Sequence, residues 1–318
     1  MELKKEKTCY FYKLYGLNIK SDFYLSELSH SEFNNLSNID VNIINGTCPK
    51  TIEDIKVSNY YYTVSNNEAM FSPDDCGKYY ISNGNTIIIE PIENPNYEHL
   101  KAYLLSRSFA ILLFQRNKVA LHGSAILFDD KVYAFCGRSG AGKSSLSAAL
   151  TIEGYKMLSD DLSVLEFDNN NKPLVHSGFA QHKLCADTME YFNISSNSLT
   201  KVDHHVNKFG IPTDNYFINE SYPLSIIIEI TVDYKNENNN VVTINELTGQ
   251  EKLQAIFRNT FKPEMMTDIG LNPHYLKQCL NTAKNIKVFK LTRPRGIFTL
   301  KEQIALIKKN PKLIHNLN

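Results

Sequence analysis

The 318-residue chain has no excess charge of either sign, no apolar run long enough to cross a bilayer, no patterned cysteines and only six arginines. Its 34 Lys and Arg balance 34 Asp and Glu, which excludes wrapping nucleic acid or lying on an anionic membrane by bulk electrostatics. The longest apolar stretch, Ala102 to Phe114, is broken by Ser106 and Arg107 and is too short for a span. Cysteines 9, 48, 76, 136, 185 and 279 form no CxxC pair and no zinc-ligand spacing, so they read as free thiols in a reducing cytoplasm. No apolar segment or small-residue cleavage site follows the charged start MELKKEK, and no secretory signal is expected. The expectation is a cytoplasmic protein with neither a nucleic-acid nor a membrane partner; a homo-oligomer is left open. What is present, 42% hydrophobic and 11% aromatic residues, is the composition of a globular chain of one large or two ordinary domains.

Two domains are expected, 1–95 and 96–318. The first reads as short strands, at Cys9 to Tyr15, Tyr60 to Val64 and Thr86 to Glu90, separated by clusters such as Ser72-Pro73-Asp74-Asp75 and Asn83-Gly84-Asn85. It carries no catalytic constellation, and acceptor docking is the role expected of it. Between His99 and Arg116, Leu100, Tyr103, Leu104, Phe109, Leu112 and Leu113 recur at helical spacing, predicting an amphipathic helix that joins the domains. Val119 to Phe128 and Val132 to Cys136 predict a hairpin turning at Asp129-Asp130-Lys131. A helix over Ser144 to Ile152, ending at Gly154, and a strand over Lys156 to Leu158 follow. Farther on, Leu224 to Val232, Val241 to Ile244 and Asn285 to Leu291 read as strands and Gly249 to Phe257 as a helix. YKNENNN reads as a solvent loop, and KEQIALIKKNPKLIHN as a closing helix.

The chemistry is concentrated at Gly137-Arg138-Ser139-Gly140-Ala141-Gly142-Lys143-Ser144-Ser145, a GxxxxGK[ST] loop between a strand and a helix. Its glycines let backbone N–H groups turn inward as an anion nest at a helix N-terminus. Lys143 can reach the outer phosphates of a nucleotide, and the Ser144 hydroxyl can ligate Mg²⁺. A nucleoside triphosphate, such as ATP, and Mg²⁺ are therefore the expected cofactors. No guanine-recognition NKxD follows, since Asn207-Lys208-Phe209-Gly210 has glycine in place of the aspartate.

Asp160 and Asp161 end the strand after the loop helix, 17 and 18 residues beyond Lys143. Adjacent carboxylates beside a phosphate nest can divide metal holding from proton acceptance, although Ser159-Asp160-Asp161-Leu162 could also be a simple turn. His122, on the strand before the loop strand, is placed to share a proton with one of them, or else is a satisfied core residue.

Taken together, Leu121-His122-Gly123, GRSGAGKSS and Gly154-Tyr155-Lys156-Met157-Leu158-Ser159-Asp160-Asp161 resemble the catalytic core of HPr kinase/phosphorylase, in order and in spacing. The resemblance is dense from Leu121 to Asp161. It implies an α/β fold of mixed sheet, related to the nucleotide-binding domain of phosphoenolpyruvate carboxykinase. It also implies Lys143 for phosphate stabilisation, Ser144 and Asp160 on the metal side, Asp161 as base, with the pair open to reversal, and His122 in support. His176 to Lys183 lacks the acidic LEIRGxGI-type segment of that family, so reversible action on HPr is not expected. Tyr15 to Leu28, Leu121 to Ala125 and the LSDD strand are more similar to the HPr-kinase-like proteins encoded with lasso-peptide enzymes. That similarity implies phosphorylation of a C-terminal serine of a precursor peptide.

Arg258 is a candidate for stabilising a transferring phosphoryl group, or else a surface ion-pair partner. Lys208 and His182-Lys183 are candidate cations of lesser standing, Asp203-His204-His205 is a weak candidate metal set, and Arg293-Pro294-Arg295 reads equally as a phosphate contact or a solvated turn. The partner is a peptide or a small hydroxyl acceptor. A kinase of free serine, or a nucleotide sensor without transfer, is the rival reading.

Overall fold

A computed structural model describes residues 9–29, 38–197, 199–203, 207–234, 240–261, 269–270 and 273–310. The chain divides into two compact units, Met1–Asn117 with Glu264–Gly270, and Lys118–Pro263 with Leu271–Asn318. Among the described residues, no helix is long and apolar enough to cross a membrane.

The first unit is built on one sheet. Its strands are β1 (Tyr10–Leu14), β2 (Leu17–Ser21), β3 (Val41–Asn45), β4 (Val57–Ser58), β5 (Thr63–Val64), β6 (Glu68–Phe71), β7 (Gly77–Ser82) and β8 (Thr86–Pro91), in the order β1-β2-β3-β8-β7-β6-β5-β4. Alternation buries Tyr79 and Ile81 of β7 with Ile87 and Ile89 of β8 on one face. Tyr15 and Gly16 both take positive φ, 53° and 76°, which matches the twist of the two-residue β1–β2 turn.

The predicted joining helix is interrupted, and it belongs to this first unit. Helix α1 (Tyr97–Tyr103), capped by the Asn96 side chain accepting from the His99 N–H, passes through a π-turn at Leu104–Ser108 into α2 (Phe109–Gln115). Hydrogen bonds tie it to the sheet: the Tyr79 hydroxyl donates to Leu100 O at 3.0 Å and Arg116 Nη1 to Gly84 O at 2.8 Å. The division of the chain thus falls at Asn117/Lys118 and not at the expected 95/96.

The second unit is α/β with a mixed sheet. Strands β9 (Val119–Phe128) and β10 (Lys131–Cys136) form the expected hairpin, tight at Asp129 with φ 53°. After α3 (Lys143–Ile152) come β11 (Lys156–Ser159), β12 (Leu162–Phe167), β13 (Pro173–His176), β14 (Gln181–Cys185), α4 (Ala186–Tyr191), β15 (Thr200–Asp203) and β16 (Lys208–Pro212). Then follow β17 (Tyr222–Asp233), β18 (Thr243–Leu247), α5 (Gly249–Arg258), α6 (Pro273–Asn285), β19 (Lys287–Pro294) and α7 (Leu300–Lys309). The main sheet runs β10-β9-β12-β13-β17-β19-β18, with β11 also on β9 and β10 also on β17; β14-β16-β15 is a separate small sheet. Strands β10, β17 and β19 are parallel neighbours. Phe135, Ile226, Ile228, Phe289 and Leu291 of these strands form one core with Leu146 and Leu150 of α3 and Ile304 of α7. His204 and His205, the middle of the YKNENNN loop and the chain beyond Asn310 lie outside the described residues.

Candidate active site

The glycine loop leaves the end of β10 and enters α3. Gly137 has φ 146°, and a Cβ there would stand 2.4 Å from the Ile230 carbonyl oxygen, so only glycine lets the loop pass this close to β17. Lys143 is buried and folds back over the loop, its Nζ donating to Gly137 O at 2.8 Å and to Arg138 O at 3.2 Å. Burial lowers its pKa, and the Asp161 carboxylate opposes that. Arg293, which the sequence left between two readings, braces the loop from β19. Its Nε donates to Ala141 O at 2.8 Å and its Nη2 to Gly140 O at 3.1 Å. On α3, the Ser145 hydroxyl meets that of Thr188 at 2.9 Å.

The aspartates interrupt a strand. Both β11 and β12 run antiparallel to β9, pairing Met157 with Ile126 and Leu162 with His122, and Asp160-Asp161 forms the break between them. Asp161 holds φ 75°, a conformation aspartate tolerates better than most residues and one that marks stored backbone strain. The break sends the two carboxylates to different partners.

Asp160 is buried, and its Oδ1 accepts from Ser124 Oγ at 2.5 Å, Ser144 Oγ at 3.1 Å and its neighbour's N–H at 3.0 Å. Its Oδ2 accepts the Lys183 N–H at 2.9 Å, with His182 Nδ1 at 3.4 Å. Burial alone would raise its pKa; His182, Ser124 and the Lys183 amide overcome this and hold it well below the usual carboxylate range. Asp161 accepts from Lys183 Nζ at 2.8 Å and stands 3.6 Å from His122 Nε2. Against burial, Lys183 and then His122 lower it to about 2. One residue, Lys183, therefore holds both carboxylates, one through its main chain and one through its side chain.

His122 lies on β9, its N–H donating to Asn259 O at 2.8 Å and its ring edge-on to Phe261. Burial, reinforced by the Lys143 charge and opposed by Asp161, pushes it down to about 4, so the imidazole is neutral at pH 7. Lys208, on β16, also disfavours its protonation. At Gly123 a Cβ would meet Phe135 O at 2.5 Å, which lets β9 lie tight against β10 beside the site.

The structure thus brings His122, Lys143, Ser144, Asp160 and Asp161 together. Arg258 sits at the end of α5, where Nε donates to Glu229 Oε1 at 2.5 Å and Nη2 pairs with Glu229 Oε2; Asn259 Nδ2 donates to Glu229 Oε1 at 2.8 Å. Sequence reasoning missed Ser124, Glu229 and Asn259 and undervalued Lys183. Only Glu229 carried a signal, as the one charge inside the apolar run Ile226 to Ile230, where burial demands a partner.

Among the described residues, no group of three or more His, Cys, Asp or Glu side chains could by itself cage a metal. The Ser144 hydroxyl against Asp160 Oδ1 is instead a pair of hard oxygens at a phosphate nest. That pair suits Mg²⁺, which takes one or two protein oxygens and completes its shell with phosphates and water.

No protein-family model and no curated protein matches the chain. Among solved structures it is similar to the Hpr(Ser) kinase/phosphatase from Coxiella burnetii, with 14% identity over 62% of this chain and 88% of that one and a TM-score of 0.30.

Proposed function

We propose that the chain is an ATP- and Mg²⁺-dependent kinase that transfers the γ-phosphoryl group to a serine hydroxyl, the C-terminal serine of a lasso-type precursor peptide. The observation that carries the reading is the connected set from the loop outward: Ser144 on Asp160, Asp160 beside Asp161, and Asp161 between Lys183 and His122. A protein that only senses nucleotide needs the loop but has no use for the second carboxylate.

Within this reading the loop amides and Lys143 bind the triphosphate. Ser144 and Asp160 would hold Mg²⁺, which when bound supplies neutralisation of phosphate charge. Asp160 meets the loop serine, Ser144, at Oδ1, so it serves the metal side. Asp161 is the base, taking the proton of the acceptor hydroxyl as its oxygen attacks phosphorus. Lys183 Nζ, at 2.8 Å, keeps that carboxylate oriented, and neutral His122 stands in support 3.6 Å away without adding a competing proton. Arg258 would steady the charge on the phosphoryl oxygens. The first unit presents the acceptor.

The test is incubation with ATP and Mg²⁺ in three arms: a peptide ending in serine, free serine, and no acceptor. Transfer adds about 80 Da to the peptide. Phosphoserine from the second arm alone assigns a metabolite kinase, and nucleotide binding without product in any arm assigns a sensor.

A further inference from the structure

Glu229 is a carboxylate inside a strand core, 4% exposed between fully buried Ile228 and nearly buried Ile230. The parallel register sets it opposite Cys136, the residue before Gly137, so it stands beside the first residue of the phosphate loop. An acid on the strand next to the loop strand is placed to face a nucleotide-bound cation. Here its oxygens are taken: the Arg258 fork covers both, and Asn259 adds a third hydrogen bond. Asp160, not Glu229, meets the loop serine.

The segment that carries Arg258 is tied on its other side to the catalytic strand. Asn259 O takes the N–H of His122, Phe261 N–H donates to Ala120 O at 2.9 Å, and the Phe261 ring packs edge-on to the imidazole. Asn259 Nδ2 also donates to Ala255 O at 2.7 Å, closing the end of α5. Arg258 is therefore fixed from both sides, yet 45% of its side chain is exposed against 5% for Glu229. Among the described residues its Nη1 makes no hydrogen bond.

We propose that Glu229 is a positioning residue for phosphoryl transfer: with Asn259 it locks the Arg258 guanidinium so that its free edge meets the phosphoryl oxygens above the loop. The proposal rests on the kinase reading. A free arginine would lose its rotamer freedom at the moment of reaction, whereas a forked one has lost it on folding. Glu229 makes and breaks no covalent bond. In the step it serves, the acceptor O–Pγ bond forms, the bond from Pγ to the bridging oxygen breaks, ADP leaves, and the acceptor proton goes to Asp161.

The experiment compares wild type, E229Q, R258A, the double variant and R258K. It reads the thermal midpoint, binding of the fluorescent analogue mant-ATP, and kcat for transfer from Mg-ATP to a peptide ending in serine. E229Q is expected to lose about 30-fold in kcat and R258A about 1,000-fold, the low end for an arginine serving phosphoryl transfer. Mant-ATP affinity should change less than about threefold, and the double variant should be no slower than R258A, because the residues act as one unit. Wild-type kcat in E229Q, or losses that multiply in the double variant, overturns the proposal. If E229Q fails to fold, R258K decides: it keeps the charge but cannot fork, and a wild-type rate there overturns the proposal too. A wild-type chain that transfers phosphate to no acceptor removes the kinase reading itself, and the role of Glu229 with it.

Discussion

The two ends of β12 carry the same pair of groups in opposite states. At one end Glu166 meets His176 from β13, Nε2 to Oε2 at 2.5 Å, and also pairs with Lys118; His176 Nδ1 in turn meets the Ser221 hydroxyl at 2.7 Å. Every bond is made, and the His176 hydrogen bond is the chief cause that takes Glu166 down to about 2. At the other end Asp161 and His122 stand 3.6 Å apart, too far for a hydrogen bond, on a backbone with positive φ. The first is a clamp across strands. The second keeps a gap on the His122 side of Asp161, whose other side is held by Lys183 Nζ at 2.8 Å, and under the proposed kinase reading that gap admits the acceptor hydroxyl.

The sharpest way to break this contrast is to neutralise one carboxylate at each end. Asp161→Asn is expected to cut phosphoryl transfer by about 10²- to 10⁴-fold, the range for loss of a general base, with the mass gain of a serine-ended peptide as the readout. Glu166→Gln should leave the rate within about twofold and cost about 1 kcal/mol of stability in a denaturant titration, the usual worth of a partly exposed pair. A normal rate in Asp161→Asn would erase the functional half of the comparison.

Much of the candidate site was legible because its residues fall in local motifs. The loop from Gly137 to Ser145, the pair Asp160-Asp161 and His122 all sit in local motifs, and the hairpin register that joins them follows from two apolar runs and a two-residue turn. Of the supporting residues, only Glu229, a charge inside the apolar run Ile226 to Ile230, and Lys183, a candidate cation, were legible at all. Ser124, Lys183, Glu229 and Asn259 reach the site from β9, β14, β17 and the end of α5, and nothing local marks a serine or lysine as the partner of a carboxylate tens of residues away. Arg293 shows the same limit, since its partners are carbonyls of a loop some 150 residues earlier. The unbroken helix expected over His99 to Arg116 fails for a different reason: apolar spacing records which face is buried, not where a π-turn resets it.

A second, smaller effect tests how tightly the candidate site is built. Gly123→Ala puts a Cβ 2.5 Å from Phe135 O and 2.9 Å from Cys136 Sγ, and the backbone oxygen cannot step aside. A loss of about 1–3 kcal/mol is expected from this overpacking, together with slower transfer, because Gly123 N–H also donates to Asp161 O at 3.2 Å. Chemical denaturation and the peptide assay read the two consequences separately.

Acid sensitivity should separate the ends by pH window. His122 has its pKa depressed from about 6.5 to about 4, so its contribution is full above pH 6.5 and is lost as pH falls through 4. Glu166, depressed from about 4.5 to about 2, contributes fully above pH 4.5 and is lost as pH falls through 2. His122→Gln should therefore flatten the stability profile between pH 6.5 and 4 by about 1–2 kcal/mol, discounted for the third of the side chain that water reaches. Glu166→Gln should leave that window unchanged and act only below it. Identical profiles for the two variants would mean that the ends do not differ as described.

The smallest expected effect belongs to Ser221. Its hydroxyl completes a chain to His176 and Glu166 that has the connectivity of a nucleophile, a base and an orienting acid. Yet Ser221 is exposed just before β17 begins, where water can replace its hydrogen bond to His176. Ser221→Ala should accordingly cost less than about 1 kcal/mol in thermal unfolding and leave phosphoryl transfer at the wild-type rate. The serine should also resist a fluorophosphonate probe, because activation needs oxyanion donors as well as a base, and a serine already served by a saturated clamp gains nothing from them. Labelling of Ser221 that is lost in His176→Gln would show that saturation of a histidine–carboxylate pair is no guide to idleness, and the comparison between the two ends of β12 would have to rest on Asp161 alone.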